Sequence, residues 1–425
     1  MSSTSTILNH LQTDYTEPIR DPLWRNIYLS PQFMRIIGAA PFQKLSRIKQ
    51  LGAAYQVYPG ATHTRFSHSL GVFHLARRIM IAILPFAAGQ DLTLEGVKAF
   101  LCAALLHDLG HFPFAHSLKE LPLKEHESLT AEIVTRRPVD ALIRSQLGVE
   151  PGLVASIVDR NLPEKGLSPE VSFFRNILSG VLDPDKLDYL NRDAYFCGVP
   201  YGVQDTDFVI SRMRPHPTHG IAVDSQGLTA VEHVLFSKYL MYRTVYWHKT
   251  VRIATAMIKK AVYLALRSGV LRPEGLYGLD DIDFFERLAD LDHPSAVLVR
   301  RVAERDLLKQ IHEEPFVESV PLHSRLLNLD ERARVEEAIA RRLSTDLGEP
   351  IGAESVLIDI PEPVTFEVSI PVAESRGAGA SAGSDSVFTR PVVEDFTRSL
   401  RKLRIIGPPA AVGLIAEPAA LLGAE

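Results

Sequence analysis

The sequence predicts a mostly helical fold with a small C-terminal α+β appendage. Three observations carry this reading. The stretch HSLGVFHLARRIMIAIL, starting near His68, repeats apolar residues at helical spacing over several turns. A second stretch, VKAFLCAALLHDLGH, is apolar almost all round, as a buried central helix is. Towards the C-terminus, VLIDI and VTFEVSIPV run in β-branched or alternating fashion around the break PEP, as strands do.

Residues 1–20 are polar and are expected to be a frayed, flexible N-terminus. Asp21 to Leu29 has a short β-like pattern punctuated by Pro22. Phe33, Ile36 and Ile37 then predict a short helix, and PFQKLSRIKQLG another, ended by Gly52. After the long helix comes the polar loop GQDLTLEG, where Thr93 is placed to cap the next helix and Glu95 lies in its first turn. Gly110 is placed to terminate that central helix. Further helices run to Ala265, and a helix-rich extension with a Pro/Asp-rich interruption to Leu347. The expected organisation is a catalytic core over 21–265, a helical extension over 266–347 and an appendage over 348–425. Within the appendage, ESRGAGASAGSDS (374–386) reads as a flexible linker.

Composition narrows the function classes. With 46% hydrophobic and 23% charged residues the chain is ordinary globular protein. A net charge of −5 supplies no global basic field for nucleic acid, although RSLRKLR is a local basic run. Two cysteines, Cys102 and Cys197, are too few for a disulfide framework, so a cytoplasmic, reducing setting is expected. MSSTSTILNHLQTDYTEP lacks the pattern of a signal peptide, and the apolar runs fall short of the roughly 20 residues of a membrane span.

The chemistry lies in the histidines, many of which cluster between His63 and His126. His107 and Asp108 are adjacent at the end of a buried helix, where an unpartnered carboxylate is costly. Neighbouring helical side chains diverge by about 100°, so both reach one ion only where the backbone bends, and Gly110 would supply that bend. An imidazole, His68, and a carboxylate, Asp185, would complete the set from other helices. Two His and two Asp without a thiolate suit Fe, Mn, Zn or Ni, and Mg less naturally. His74, further along the His68 helix, reads as an ordinary packed residue.

Beside that set stand His111, His116 and His126, candidates for proton transfer near neutral pH, and Glu127 could orient His126. In DPDKLDYLNRD, Asp183 caps a helix and Pro184 opens it. Lys186, Tyr189 and Asp193 then share one face beside Asp185, offering a cation, an aromatic ring and a carboxylate to one ligand.

These motifs resemble a known family. The run from DPLWRNIYLSPQF through GATHTRFSHSLGV, then LLHDLGHFPFAH, KEHES, LDPDKLDYLNRDAYFCGVPYG and YLMYRTVYWHK, resembles the deoxynucleoside triphosphate triphosphohydrolases of the HD superfamily. The likeness is greatest to the branch that also carries a SAM domain, here without one, and covers about residues 20–265. The resemblance implies an HD-domain helical fold, a homo-oligomer (dimer or tetramer), and one catalytic divalent metal held by His68, His107, Asp108 and Asp185, with further Mg arriving on the triphosphate. It implies an acid/base pair at His111 and His126, and His116 at the phosphate or leaving group. It assigns Arg65 and Lys186 to the triphosphate, Gln50, Tyr189 and Asp193 to the sugar, and Tyr246 to the face of the deoxyribose or base. A tyrosine there would reject a ribose hydroxyl by clash or by leaving it unpaired.

The sequence also departs from that family. Gly38 stands where the nucleotide-activated members have an aspartate that reads guanine, and Ser46 replaces a basic residue, which counts against guanine-nucleotide activation. Tyr242 and Thr244 replace His and Arg of the resembling branch. Competing readings are an HD phosphohydrolase acting on another nucleotide, a nucleic-acid-binding or nuclease protein, and a pseudoenzyme. The first lacks the HD-GYP signature in its cyclic-dinucleotide form, and the last is disfavoured because all four ligand positions are filled.

Overall fold

In the computed structural model, residues 3–87, 90–163, 168–364, 372–373, 386–413 and 420 are described. The described residues are mostly helical, with a few small sheets. At the centre lies α4 (Leu94–Leu106), buried along nearly its whole length as its apolar circumference demands. Thr93 caps it, its Oγ1 accepting the Gly96 N–H at 2.9 Å. The long helix α3 (Arg65–Ile83) packs on α4, and so do α6 (Pro151–Val158) and α7 (Pro169–Leu178), where Phe100 stacks on Phe174 at 5.0 Å. Between them α5 (His126–Val134) packs on α6, while α8 (Pro184–Cys197) lies along α3. Asp183 caps α8 as expected, accepting the Lys186 N–H at 2.6 Å. After a small hairpin, α9 (Leu228–Met241) leads through a π-turn (Tyr242–Tyr246) into α10 (Lys249–Arg267). This wider turn allows Tyr242 and Tyr246 to stand edge to face at 4.9 Å.

Several expectations need correction. Residues expected to fray instead form α1 (Ser3–Thr13), whose Ile7 and Leu11, four apart, are buried. The strand β1 (Glu17–Asp21) then pairs antiparallel with β2 (Arg25–Leu29). The helix expected over PFQKLSRIKQLG is only Ala40–Gln43 followed by a 3-10 turn to Arg47, and Gly52, at φ 51°, begins another 3-10 turn rather than ending a helix. Gly110 does not end α4, which stops at Leu106. A side chain at Gly110 would sit 2.2 Å from the His126 carbonyl, so glycine is there for the close approach of α5. Residues Arg65–Phe86 have the length and hydropathy of a membrane span, contrary to the sequence expectation, but 61% of that window is buried in the protein core.

The appendage does not begin at 348. The earlier hairpin pairs β3 (Met213–His216) with β4 (Gly220–Val223), whereas the appendage has a three-stranded sheet. The strand β5 (Lys309–Pro315) comes from the expected helical extension and pairs with β7 (Lys402–Gly407), which also pairs with β6 (Leu357–Asp359). Helix α11 (Leu329–Leu347) covers the sheet, with Ile339 and Leu343 packed among Ile358, Leu403 and Ile405. The sequence hides β5 because KQIHEEP is charged and mostly part-exposed. VLIDI is β6, whereas most of VTFEVSIPV and all but the last residue of the 374–386 linker lie outside the described residues. Another helix, α12 (Arg390–Leu400), returns to the main core, where Phe396 stacks on Tyr239 at 4.3 Å.

Candidate active site

α3, the α4 end and the α8 start converge on one point. His68 Nε2 lies 3.0 Å from Asp185 Oδ1 and 3.9 Å from Asp108 Oδ2. His107 Nε2 lies 3.3 Å from Asp108 Oδ1 and 3.9 Å from Asp185 Oδ1. The outer nitrogens of both imidazoles are taken. His68 Nδ1 meets Asp188 Oδ2 at 2.8 Å, and His107 Nδ1 meets the Ala104 carbonyl at 2.9 Å. Each ring therefore turns Nε2 inward, the arrangement that second-sphere partners impose on metal-binding histidines. His107 Nε2 is buried and has no hydrogen-bond partner among the described residues. That orphaned lone pair, with a neutral-N and carboxylate-O donor set, fits a divalent transition ion.

The charges support this. Burial opposes the Asp108 carboxylate, but Arg65 (2.7 Å to Oδ2), His107 and His111 outweigh it and hold its pKa well below the usual range. Burial alone would lower the His68 pKa, but its hydrogen bonds to Asp185 and Asp188 push it up to about 10.

His111, His116 and His126 form a second cluster behind the first. His111 stacks on His126 at 3.8 Å, and His116 lies 4.7 Å and 4.8 Å from the two. Burial, Arg65 and His126 depress the His111 pKa well below the ordinary histidine value, which leaves that ring neutral. His111 Nε2 lies 3.2 Å from Asp108 Oδ1 without making a hydrogen bond. His126 Nδ1 is 3.0 Å from Glu127 Oε2.

Both clusters border a cavity of about 750 Å³, a size usual for small-molecule sites. Gln50, Arg65, Lys186, Tyr189, Asp193 and Tyr246 all line it, whereas His111 is fully buried behind the wall. Lys186 Nζ is engaged by the Gly180 carbonyl at 2.6 Å and Asp183 Oδ2 at 2.8 Å. Asp193 is also engaged at both oxygens: Tyr246 Oη donates to Oδ2 at 2.6 Å, and His63 Nε2 lies 2.8 Å from Oδ1. Tyr189 stands edge-on to Tyr246 at 6.4 Å. Gln50 Oε1 is buried without a partner.

Sequence reasoning missed three contributions. Asp188 holds His68 and is itself held by Arg192 (2.8 and 2.9 Å) and Trp24 (2.5 Å); its position one helical turn after Asp185 was the available signal. His63 enters the sequence reading only as the start of the histidine cluster. Glu362, Pro363 and Val364 of the appendage form part of the cavity wall, and no local pattern announces it.

Residues 65–174 match the HD domain, and residues 205–378 the HD associated region. An uncharacterized protein of Methanocaldococcus jannaschii, MJ1154, is 33% identical over 74% of this chain and 64% of its own length. The deoxynucleoside triphosphate triphosphohydrolase SAMHD1 of Homo sapiens is 28% identical over 72% of this chain and 55% of its own. The chain thus spans about half to two thirds of the length of these curated relatives. A hypothetical protein from Aquifex aeolicus superposes with a TM-score of 0.70 at 28% identity, covering 93% of this chain and 97% of that one. A phosphohydrolase from Bacteroides thetaiotaomicron shares the fold, with a TM-score of 0.69, 24% identity and coverage of 92% and 99%. HD domains bind divalent metals, and here His68, His107 and Asp185 come close enough to share one ion, with Asp108 beside them at the edge of a ligand-sized cavity. This chain therefore carries an HD domain followed by an HD-associated region.

Proposed function

We propose that this protein hydrolyses deoxynucleoside triphosphates to deoxynucleoside and triphosphate. The supporting observation is the contents of one cavity: the His/Asp quartet, the cations Arg65 and Lys186, and the aromatic pair Tyr189 and Tyr246. The likeness to relatives named as deoxynucleoside triphosphate triphosphohydrolases points the same way.

His68, His107, Asp108 and Asp185 would hold the divalent ion, which supplies neutralisation of phosphoryl charge and a more acidic water. Arg65 is oriented by Asp108 and offers its remaining N–H groups to phosphate oxygens. Lys186, steered by Asp183, adds a second cation at the start of α8. His126, with Glu127 Oε2 3.0 Å from its Nδ1, would exchange a proton at Nε2, and neutral His111 stacks on it. Tyr189 and Tyr246 would hold the sugar. Incubation with all eight nucleoside triphosphates and separate divalent metals, with products resolved by HPLC, tests the reading. Inorganic triphosphate released from deoxynucleotides supports it; release of phosphate or pyrophosphate only, or equal rates on ATP and dATP, overturns it.

A further inference from the structure

We propose that His63 is a positioning residue for sugar selection, acting on Tyr246 through Asp193; this rests on the proposed activity. His63 lies in the loop before α3, Asp193 on α8 and Tyr246 in the π-turn before α10. The three are linked in series. His63 Nε2 meets Asp193 Oδ1 at 2.8 Å, and Asp193 Oδ2 accepts the Tyr246 hydroxyl at 2.6 Å. The side chains of His63 and Asp193 are 0% and 2% exposed, so the bond between them is closed to solvent.

The imidazole has little freedom. It stacks on Phe196 at 4.7 Å, with its plane 21° from that ring. The loop carrying it is pressed onto α8 at Gly60, where an added Cβ would come within 2.4 Å of the Phe196 carbonyl. The His63 main chain makes a second link, since its carbonyl accepts the Gln50 N–H at 3.0 Å. Gln50 Oε1 is buried without a partner at the cavity wall. One residue thus holds a phenol ring through its side chain and the main chain of Gln50 through its carbonyl, and both residues border the same cavity.

With both oxygens engaged, Asp193 acts on the sugar through Tyr246 more than by direct contact. Selection against ribose needs a ring that does not yield, because a yielding ring admits the extra hydroxyl. The ring's hydroxyl end is tied to Asp193, and Asp193 is kept from rotating by His63. Unlinking His63 therefore lets Tyr246 move without touching the His/Asp quartet, which lies on other residues.

The experiment compares wild type, His63→Leu and His63→Gln, each alone and with Tyr246→Phe, by kcat/KM for dATP and ATP. Leucine removes the link, whereas the glutamine amide can restore a donor near Nε2. We expect His63→Leu to lower the dATP/ATP preference roughly tenfold with metal content unchanged, His63→Gln to recover most of it, and Leu to add little in the Tyr246→Phe background. An unchanged preference in His63→Leu, or full additivity with Tyr246→Phe, overturns the proposal. If the leucine variant does not fold, His63→Asn, whose amide is too short to reach Asp193, carries the same comparison. A wild type inactive on every deoxynucleotide overturns the activity itself, which is a different result from an active enzyme whose preference ignores His63.

Discussion

Asp188 accepts from His68 Nδ1 at 2.8 Å, and this contact decides which nitrogen His68 turns towards Asp185 and Asp108. Asp188 does not itself line the cavity, yet it holds a member of the quartet that does. An isosteric change, Asp188→Asn, keeps the packing and removes the anionic partner. Metal affinity should fall roughly 10- to 100-fold, measured by competition with a chelator; affinity equal to wild type would show that His68 needs no carboxylate behind it.

Gly71 stands where a Cβ would come within 1.8 Å of Asp188 Oδ1 and 2.6 Å of an Arg192 nitrogen. Gly71→Ala must push Asp188 and Arg192 aside. A loss of about 1–3 kcal/mol in denaturant unfolding is expected from such overpacking, together with reduced metal occupancy. A Gly71→Ala variant with wild-type stability and metal content would contradict the close approach.

The two aspartates of the quartet should behave differently when truncated. The Asp185 side chain is 38% exposed to the cavity, so Asp185→Ala should lose metal with little change in melting temperature. Asp108 is 4% exposed and neutralises buried Arg65, so Asp108→Ala should lose metal and also about 3–5 kcal/mol of stability. Elemental analysis and thermal melts on both variants decide the matter.

His126→Ala removes the proton-exchanging ring and leaves the quartet intact. With dNTP as substrate, kcat should drop roughly 10²–10⁴-fold while metal still binds. Wild-type kcat from mildly acidic to mildly basic pH would make His126 structural.

Asp359, fully buried in β6, joins Arg252 (3.1 and 2.5 Å) to Arg404. Burial disfavours its charge, but Arg252 foremost outweighs this and holds its pKa below the ordinary carboxylate value. A depressed carboxylate pKa stabilises the fold above the unfolded value, near ~3.9, and that stabilisation is lost as pH falls through the folded value. Wild type should therefore lose stability steeply below about pH 4. Asp359→Asn should be weaker at pH 7 and flatter in acid, as denaturant melts at several pH values would show.

Much of the site was legible because it lies in short segments whose chemistry is local. His107 with Asp108, the cap at Asp183, and Lys186, Tyr189 and Asp193 on one face of α8 need only helical spacing to be read. The missed parts are distant in sequence. His63 reaches Asp193, and Trp24 reaches Asp188, through folding alone, and neither carries a periodic signal. The same holds for β5: its residues look like a charged loop until β7 supplies their hydrogen bonds. Ile7 and Leu11 form too sparse a pattern to outweigh the polar residues around them, but a single i, i+4 pair is enough once α3 and α4 offer a surface.

The wall at Glu362–Val364 separates two events in the life of the chain. All four residues of the quartet have been synthesised once Asp185 has emerged, whereas the strand next to that wall, β6, is held in register by β7 at Lys402–Gly407. A nascent chain thus carries all four residues of the quartet long before the cavity wall at Glu362–Val364 can form. The quartet and the far wall of its cavity are drawn from separate, early and late stretches of the same polypeptide.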